Sequence, residues 1–244
     1  SGRIIGGREA NPHSRPYMAF LSIETESYRY HCGGFLIRQD TVLSAAHCMP
    51  GDMKVNITVT LGAHNISKKE PSQQKFHVSH WVIHPNYSEV TFENDIMLLK
   101  LHPEASLTKA VSHIPLPSET DCAKPGTTCS VAGWGWTSMA RDETSVLLEV
   151  DLKVQRKKIC EAYFNEQYLR RSMICVGDED GQRSAFHGDS GGPLVCNGKA
   201  HGIVSFAPRY CIFPQVFTRV SYFEPWIYEE LRNFALQDPP DSSS

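Results

Sequence analysis

About twelve short apolar runs rich in β-formers, each cut off by glycine, proline or polar residues, limit what this chain can fold into. Six lie at 17–23, 34–37, 42–44, 56–61, 76–83 and 96–101. Six more lie at 129–134, 147–154, 173–176, 193–196, 202–206 and 215–220. That texture predicts an all-β chain built as barrels or sandwiches. Between the two sets, residues 102–126 are rich in turn formers and mark the natural boundary. Helix is scarce. A short one is predicted at 158–164, and a clearer one from Ser221 onward. There Ser221 and Glu224 have capping-box spacing. Phe223, Trp226, Ile227, Leu231 and Phe234 follow the helical period, so one face can dock on a barrel. The Pro/Ser/Asp-rich residues 237–244 predict a disordered tail.

Composition narrows the setting. Eight cysteines in 244 residues point to an oxidising compartment, and no CxxC pair suggests a zinc site. Three Asn-x-Ser/Thr sequons, at Asn56, Asn65 and Asn86, add to a secretory reading as candidate glycosylation sites. No run of about 18 apolar residues is present, so no membrane span is predicted. No signal peptide is recognised, and the chain is expected to be a processed form. The net charge of −3 argues against a general polyanion-binding surface and against nucleic acid as a partner.

The chemistry concentrates at Gly188-Asp189-Ser190-Gly191-Gly192-Pro193. A serine among glycines on a tight turn lets a substrate backbone come close, and neighbouring amides can hold a developing oxyanion. By itself the stretch also reads as an ordinary Gly/Pro-rich loop. Two further stretches change that. Ala45-Ala46-His47-Cys48 offers a base among small residues, and Asn94-Asp95-Ile96 offers a carboxylate at the mouth of an apolar strand. A serine hydroxyl is a poor nucleophile alone. His47 would take its proton, and Asp95 would fix the His47 tautomer and stabilise the imidazolium.

With these motifs in the order His, Asp, Ser, residues 4–231 resemble the chymotrypsin-like serine peptidases. The general triad template is drawn from that same family. Within it, the chain looks most similar to the granule-associated branch: chymases, cathepsin G and granzymes. The stretches that carry this are Pro12-His13-Ser14-Arg15-Pro16-Tyr17-Met18-Ala19, Leu61-Gly62-Ala63-His64-Asn65-Ile66, Asn94-Asp95-Ile96-Met97-Leu98-Leu99-Lys100 and Ser184-Ala185-Phe186-His187-Gly188-Asp189-Ser190.

The resemblance implies two packed six-stranded antiparallel β-barrels with a C-terminal α-helix. Residues 1–3 would be a propeptide remnant. Residues 4–110 would form the barrel carrying His47 and Asp95. Residues 111–236 would form the barrel carrying Ser190, together with the helix. It also implies roles. His47, Asp95 and Ser190 would be catalytic, and the amides of Gly188 and Ser190 would form the oxyanion hole. Cleavage after Arg3 would free the Ile4 ammonium to pair with Asp189, so the uncut chain should behave as a zymogen. Granule relatives usually carry a two-residue acidic propeptide, and an Arg-ended tripeptide departs from that. Ser205 would lie beneath the Asp95–His47 pair, and Ser205-Phe206-Ala207 would pair with substrate as an added strand.

Eight cysteines alone allow 105 pairings. The resemblance selects Cys32–Cys48, Cys129–Cys196 and Cys160–Cys175. It leaves Cys122 and Cys211 as free thiols or as one intermolecular bridge. The usual partner position of Cys211 holds Phe186, and the last helix has no cysteine for Cys122. Ala63 stands where calcium-binding relatives need a carboxylate, so no calcium is expected. His77, His80 and His84 are close in sequence, but strand geometry sets His77 and His80 on opposite sides. No metal or other cofactor is expected.

By the same resemblance, Ser184 forms the base of the primary pocket. A neutral pocket favours Phe, Tyr or Leu before the scissile bond. Ala207, where glycine is usual, narrows the entrance. Gln215 on the back wall consumes volume and wants hydrogen bonds, which lets Leu or Met rival Phe. His187, beside the oxyanion hole, would favour acidic residues at nearby subsites when protonated. Partners would be protein substrates and macromolecular inhibitors such as serpins. Arg156-Lys157-Lys158 and Arg170-Arg171 offer weak glycosaminoglycan contacts. The expected location is secreted, or stored in secretory granules. The competing reading is an idle homologue that binds without cutting. Such relatives lose the histidine or the serine, and both are present in this chain.

Overall fold

A computed structural model describes residues 4–51, 54–135, 145–185 and 188–237. Among these residues, fourteen strands form two antiparallel sheets. The first holds β2 (Met18–Glu24), β3 (Arg29–Arg38), β4 (Thr41–Ser44), β5 (Asn56–Leu61), β6 (Gln74–Val78), β7 (His80–Ile83) and β8 (Met97–Lys100). Its order is β6-β5-β2-β3-β4-β8-β7. β6 and β7 are separated only by Ser79, so the two edges of this sheet are halves of one bent run. That is why a single apolar run at 76–83 yields two strands.

The second sheet holds β1 (Arg8–Glu9), β9 (Thr128–Gly133), β10 (Leu148–Val154), β11 (Met173–Gly177), β12 (Pro193–Cys196), β13 (Lys199–Phe206) and β14 (Gln215–Arg219). β10 pairs with both β9 and β11, which closes six strands into a barrel and leaves β1 as a short appendage. Alternation is clearest on β10. Leu148, Val150, Leu152 and Val154 are buried, while Glu149, Asp151 and Lys153 face outward to differing degrees. All twelve expected strands are present, with ends differing by a few residues.

α1 (Lys157–Phe164) begins one residue earlier than the sequence pattern suggests. The chain enters α2 (Glu224–Gln237) through a 3-10 turn, Val220–Phe223. Ser221 therefore sits in that turn, and the Glu224 carboxylate accepts the amide of Glu119 at 3.0 Å. The apolar face of α2, Ile227, Leu231 and Phe234, joins the core of the first sheet, although the helix follows the second sheet in the chain. Lys100 on β8 donates to the carbonyl of Phe234 at 2.6 Å. The expected tail falls on residues outside those described, apart from Gln237, which ends α2.

The three expected disulfides are present: Cys32–Cys48, Cys129–Cys196 and Cys160–Cys175. Cys122 and Cys211 are free and exposed.

Candidate active site

His47 follows β4 in a 3-10 turn, Ala46–Cys48. Ala45 and Ala46 are fully buried, which lets the turn sit deep in the sheet. The Cys32–Cys48 bridge and a 2.6 Å hydrogen bond from Tyr30 Oη to the Cys48 carbonyl pin it to β3. Asp95 lies two residues before β8 and is 1% exposed. A carboxylate at that depth needs partners. Its Oδ1 accepts the His47 amide at 2.8 Å, and its Oδ2 lies 2.6 Å from His47 Nδ1. A carboxylate only accepts, so Nδ1 carries a proton, and in the neutral ring Nε2 is left with the lone pair. Ser205 Oγ donates to Asp95 Oδ2 at 2.6 Å, and Thr218 Oγ1 donates to the Asp95 carbonyl at 2.9 Å. The Ser205 hydroxyl reaches Asp95 from a register slip in β13 between Val204 and Phe206.

Ser190 and His47 line one cavity of about 840 Å³. Ser190 is held by the first barrel. Its carbonyl accepts the Gly33 amide of β3 at 2.8 Å, and the Gly33 carbonyl accepts Ser44 Oγ at 2.8 Å. Among the described residues, neither the Gly188 nor the Ser190 amide donates to a protein acceptor. Gly188 has φ +89°, and a side chain there would meet His31 Nε2 at 2.5 Å, so only glycine fits that turn. Asp189 is fully buried, and its Oδ1 accepts the Gly135 amide at 3.0 Å.

The cavity floor is neutral. Ser184 is fully buried, and its hydroxyl donates to the Ala185 carbonyl. Gln215 grips the same backbone twice: its Oε1 accepts the Ala185 amide at 3.2 Å, and its Nε2 donates to the Ala185 carbonyl at 2.9 Å. Phe206 and the exposed Ala207 form the wall beside Ser205.

Sequence reasoning gave no role to Phe92, Thr218 or Gly135. The Phe92 ring meets the His47 ring edge-on at 5.4 Å and packs against Phe206 at 5.6 Å. An aromatic three residues before a candidate acid was the available signal. Thr218 is a buried hydroxyl in an otherwise apolar strand interior, which was visible. Gly135 contributes only its amide, which leaves no signal in a sequence. Arg3 and His187, with Phe186, lie outside the described residues.

Ile4 is fully buried in the second-barrel core with Val131, Leu148 and Val176. The Ile5 carbonyl accepts the Ser184 amide at 3.0 Å, which joins this segment to the cavity floor. At the loop bearing Ala63, the Glu70 carboxylate accepts the amides of His64 and Asn65 at 2.8 and 3.1 Å. Burial raises its pKa, but these bonds and one from Gln73 offset that and hold it below the usual range.

Residues 4–227 match the family described as Trypsin. The chain belongs to the trypsin family. Human cathepsin G is 50% identical over 238 residues, covering 98% of this chain and 91% of that protein. Bovine duodenase-1 is 49% identical over 237 residues, with 97% and 92% covered. Human granzyme B is 47% identical over 234 residues, with 96% and 93% covered. The solved structure of GrC superposes with a TM-score of 0.88 at 45% identity, covering 93% of this chain and 99% of that one. This trypsin-family chain is a serine endopeptidase of the granule-protease branch, with the two-barrel fold and C-terminal helix of its relatives.

Proposed function

We propose that Ser190, His47 and Asp95 form the catalytic triad and that the enzyme cuts after Phe, Tyr or Leu, with Met also admitted. One observation carries this reading: the His47 ring, paired with the buried Asp95, lines the same cavity as Ser190, and no acid is among the described residues of that lining. His47 Nε2 would take the Ser190 proton as Oγ attacks the scissile carbonyl, and then pass it to the leaving amine. The negative oxygen of the tetrahedral intermediate would be held by the Gly188 and Ser190 amides, which have no protein acceptor among the described residues. Substrate would add as a strand beside Ser205-Phe206-Ala207.

The floor supports an apolar residue before the scissile bond. Gln215 is held on the Ala185 backbone by one amide hydrogen and one oxygen lone pair, and its uncharged amide supplies no counter-charge for a basic side chain. A Lys or Arg side chain would be stripped of water there without a carboxylate to meet it.

We also propose activation by cleavage after Arg3, with the freed Ile4 ammonium pairing with Asp189. The burial of the Ile4 side chain and of Asp189 supports this. The units 4–110 and 111–236 are the proposed domains. Protein substrates follow from the family; serpin-type inhibitors are proposed partners. The exposed Arg156, Lys157, Lys158, Arg170 and Arg171 are proposed for weak glycosaminoglycan contact, with Arg170 already tied to Glu161. Secretion or granule storage is proposed from the three disulfides and from sequons at Asn56 and Asn86, which are exposed, and Asn65. Among the described residues no helix is long and apolar enough to cross a membrane.

The test is a peptide-library cleavage profile of the Arg3-cut form, run beside Ser190→Ala. Cleavage after Phe, Tyr or Leu and labelling of Ser190 by an organophosphonate are expected, with both lost in the variant. Cleavage mainly after Lys or Arg would overturn the pocket reading. Absence of labelling would overturn the triad.

A further inference from the structure

We infer that Arg209 selects an acidic side chain at the third substrate residue before the scissile bond. The inference rests on the proposed binding of substrate as an added strand along Ser205-Phe206-Ala207. Three observations lead to it.

Among the described residues, eighteen line the cavity that holds Ser190 and His47, and Arg209 is the only permanently charged one of these. No Asp or Glu is among them. Arg209 is exposed and forms no ion pair among the described residues. Its guanidinium lies 5.6 Å from the centroid of the Tyr210 ring, which orients it without neutralising it. A positive group among otherwise uncharged lining residues attracts anionic groups in the ligand.

Register then chooses the substrate position. Antiparallel pairing runs the substrate N-terminally as β13 runs C-terminally, so residues after Ala207 meet positions well before the scissile bond. Side chains on a strand alternate, so the first and third residues before that bond share a face. The first enters the cavity floored by Ser184 and Gln215. The third passes over the wall of the same cavity, about 7 Å further along, where Pro208, Arg209 and Tyr210 stand. The second points to the opposite face, toward the other barrel. A Glu at the third position has the length and charge to meet the Arg209 guanidinium.

The experiment uses the Arg3-cut enzyme and short chromogenic peptides with Phe at the cleaved position and either Glu or Gln three residues before the cut. The kcat/KM ratio of the Glu to the Gln peptide is measured at low salt and at 1 M NaCl. An exposed ion pair predicts a ratio of about three to five, carried by KM and not kcat. It should fall toward one in high salt. Arg209→Ala should bring the low-salt ratio to about one, Arg209→Glu should invert it, and Arg209→Lys should restore part of it. Cleavage of both peptides at equal rates, or a Glu preference that survives Arg209→Ala, would overturn the inference while leaving the peptidase intact. Failure to cut either peptide, or any Phe or Leu companion, would overturn the binding reading beneath it and this inference with it.

Discussion

Asp95 binds through both carboxylate oxygens and its own carbonyl, and its partners come from three separate stretches: His47, Ser205 and Thr218. The first two were legible in the sequence because their neighbours matched the serine-peptidase pattern. Thr218 was not singled out, since a single hydroxyl in a strand usually signals only β propensity. Gly133 shows a requirement that a sequence hides completely. A Cβ built there would sit 2.1 Å from Asp189 Oδ1. Nothing in the string of β9 says that a carboxylate from residue 189 will lie against it. Gly133→Ala should therefore displace Asp189 and the turn that carries Ser190. The expected outcome is a chain with normal far-UV circular dichroism and a rate of organophosphonate labelling reduced by about tenfold or more. Labelling at the parent rate would show that Asp189 can move aside without consequence.

At the scale of elements, short apolar runs cut off by turn formers located the strands well, because strands such as β4, β8 and β11 are buried along their whole length. It did not reveal which barrel α2 would cover. The helical stripe of Ile227, Leu231 and Phe234 states that a face is apolar, not where it docks, and docking is a long-range outcome. The helix returns to the first barrel, where Lys100 donates to the Phe234 carbonyl near its C-terminal end. A cation there complements the partial negative charge of the last carbonyls. Lys100→Met should remove this tether at a cost of about 1–3 kcal/mol. The check is amide hydrogen exchange, which should quicken in the last turns of α2 while peptide hydrolysis stays at the parent rate. Unchanged exchange across 231–237 would show that the apolar face alone fixes the helix. The bent β6–β7 run was also hidden. Its apolar pattern reads straight through Ser79, and only the pairing of its halves with β5 and β8 reveals the bend.

For the whole molecule, acid is the informative stress. Burial lowers the pKa of His201 on β13, with Lys199 and Arg219 adding to it and Asp121 opposing; burial alone lowers that of His84. The unfolded chain takes up protons at both sites near the ordinary histidine value of about 6.5, whereas the folded chain resists until lower pH. Stability should thus decline as pH falls through the range just below about 6.5. His201→Gln should decline less between pH 7.5 and 5. Urea midpoints at those two pH values, for parent and variant, measure this; equal declines would assign the effect to other groups. The same scale holds one more consequence. Apart from His47 and Phe92, the described residues that line the cavity all come after position 180, while the hydrogen-bonded His47–Asp95 pair sits wholly in the first half of the chain. Heritable change in appetite can accumulate among the later lining residues so long as Ser190, Ser205 and Thr218 stay as they are. Lineages built on this plan are free to diversify in diet while their tool stays the same.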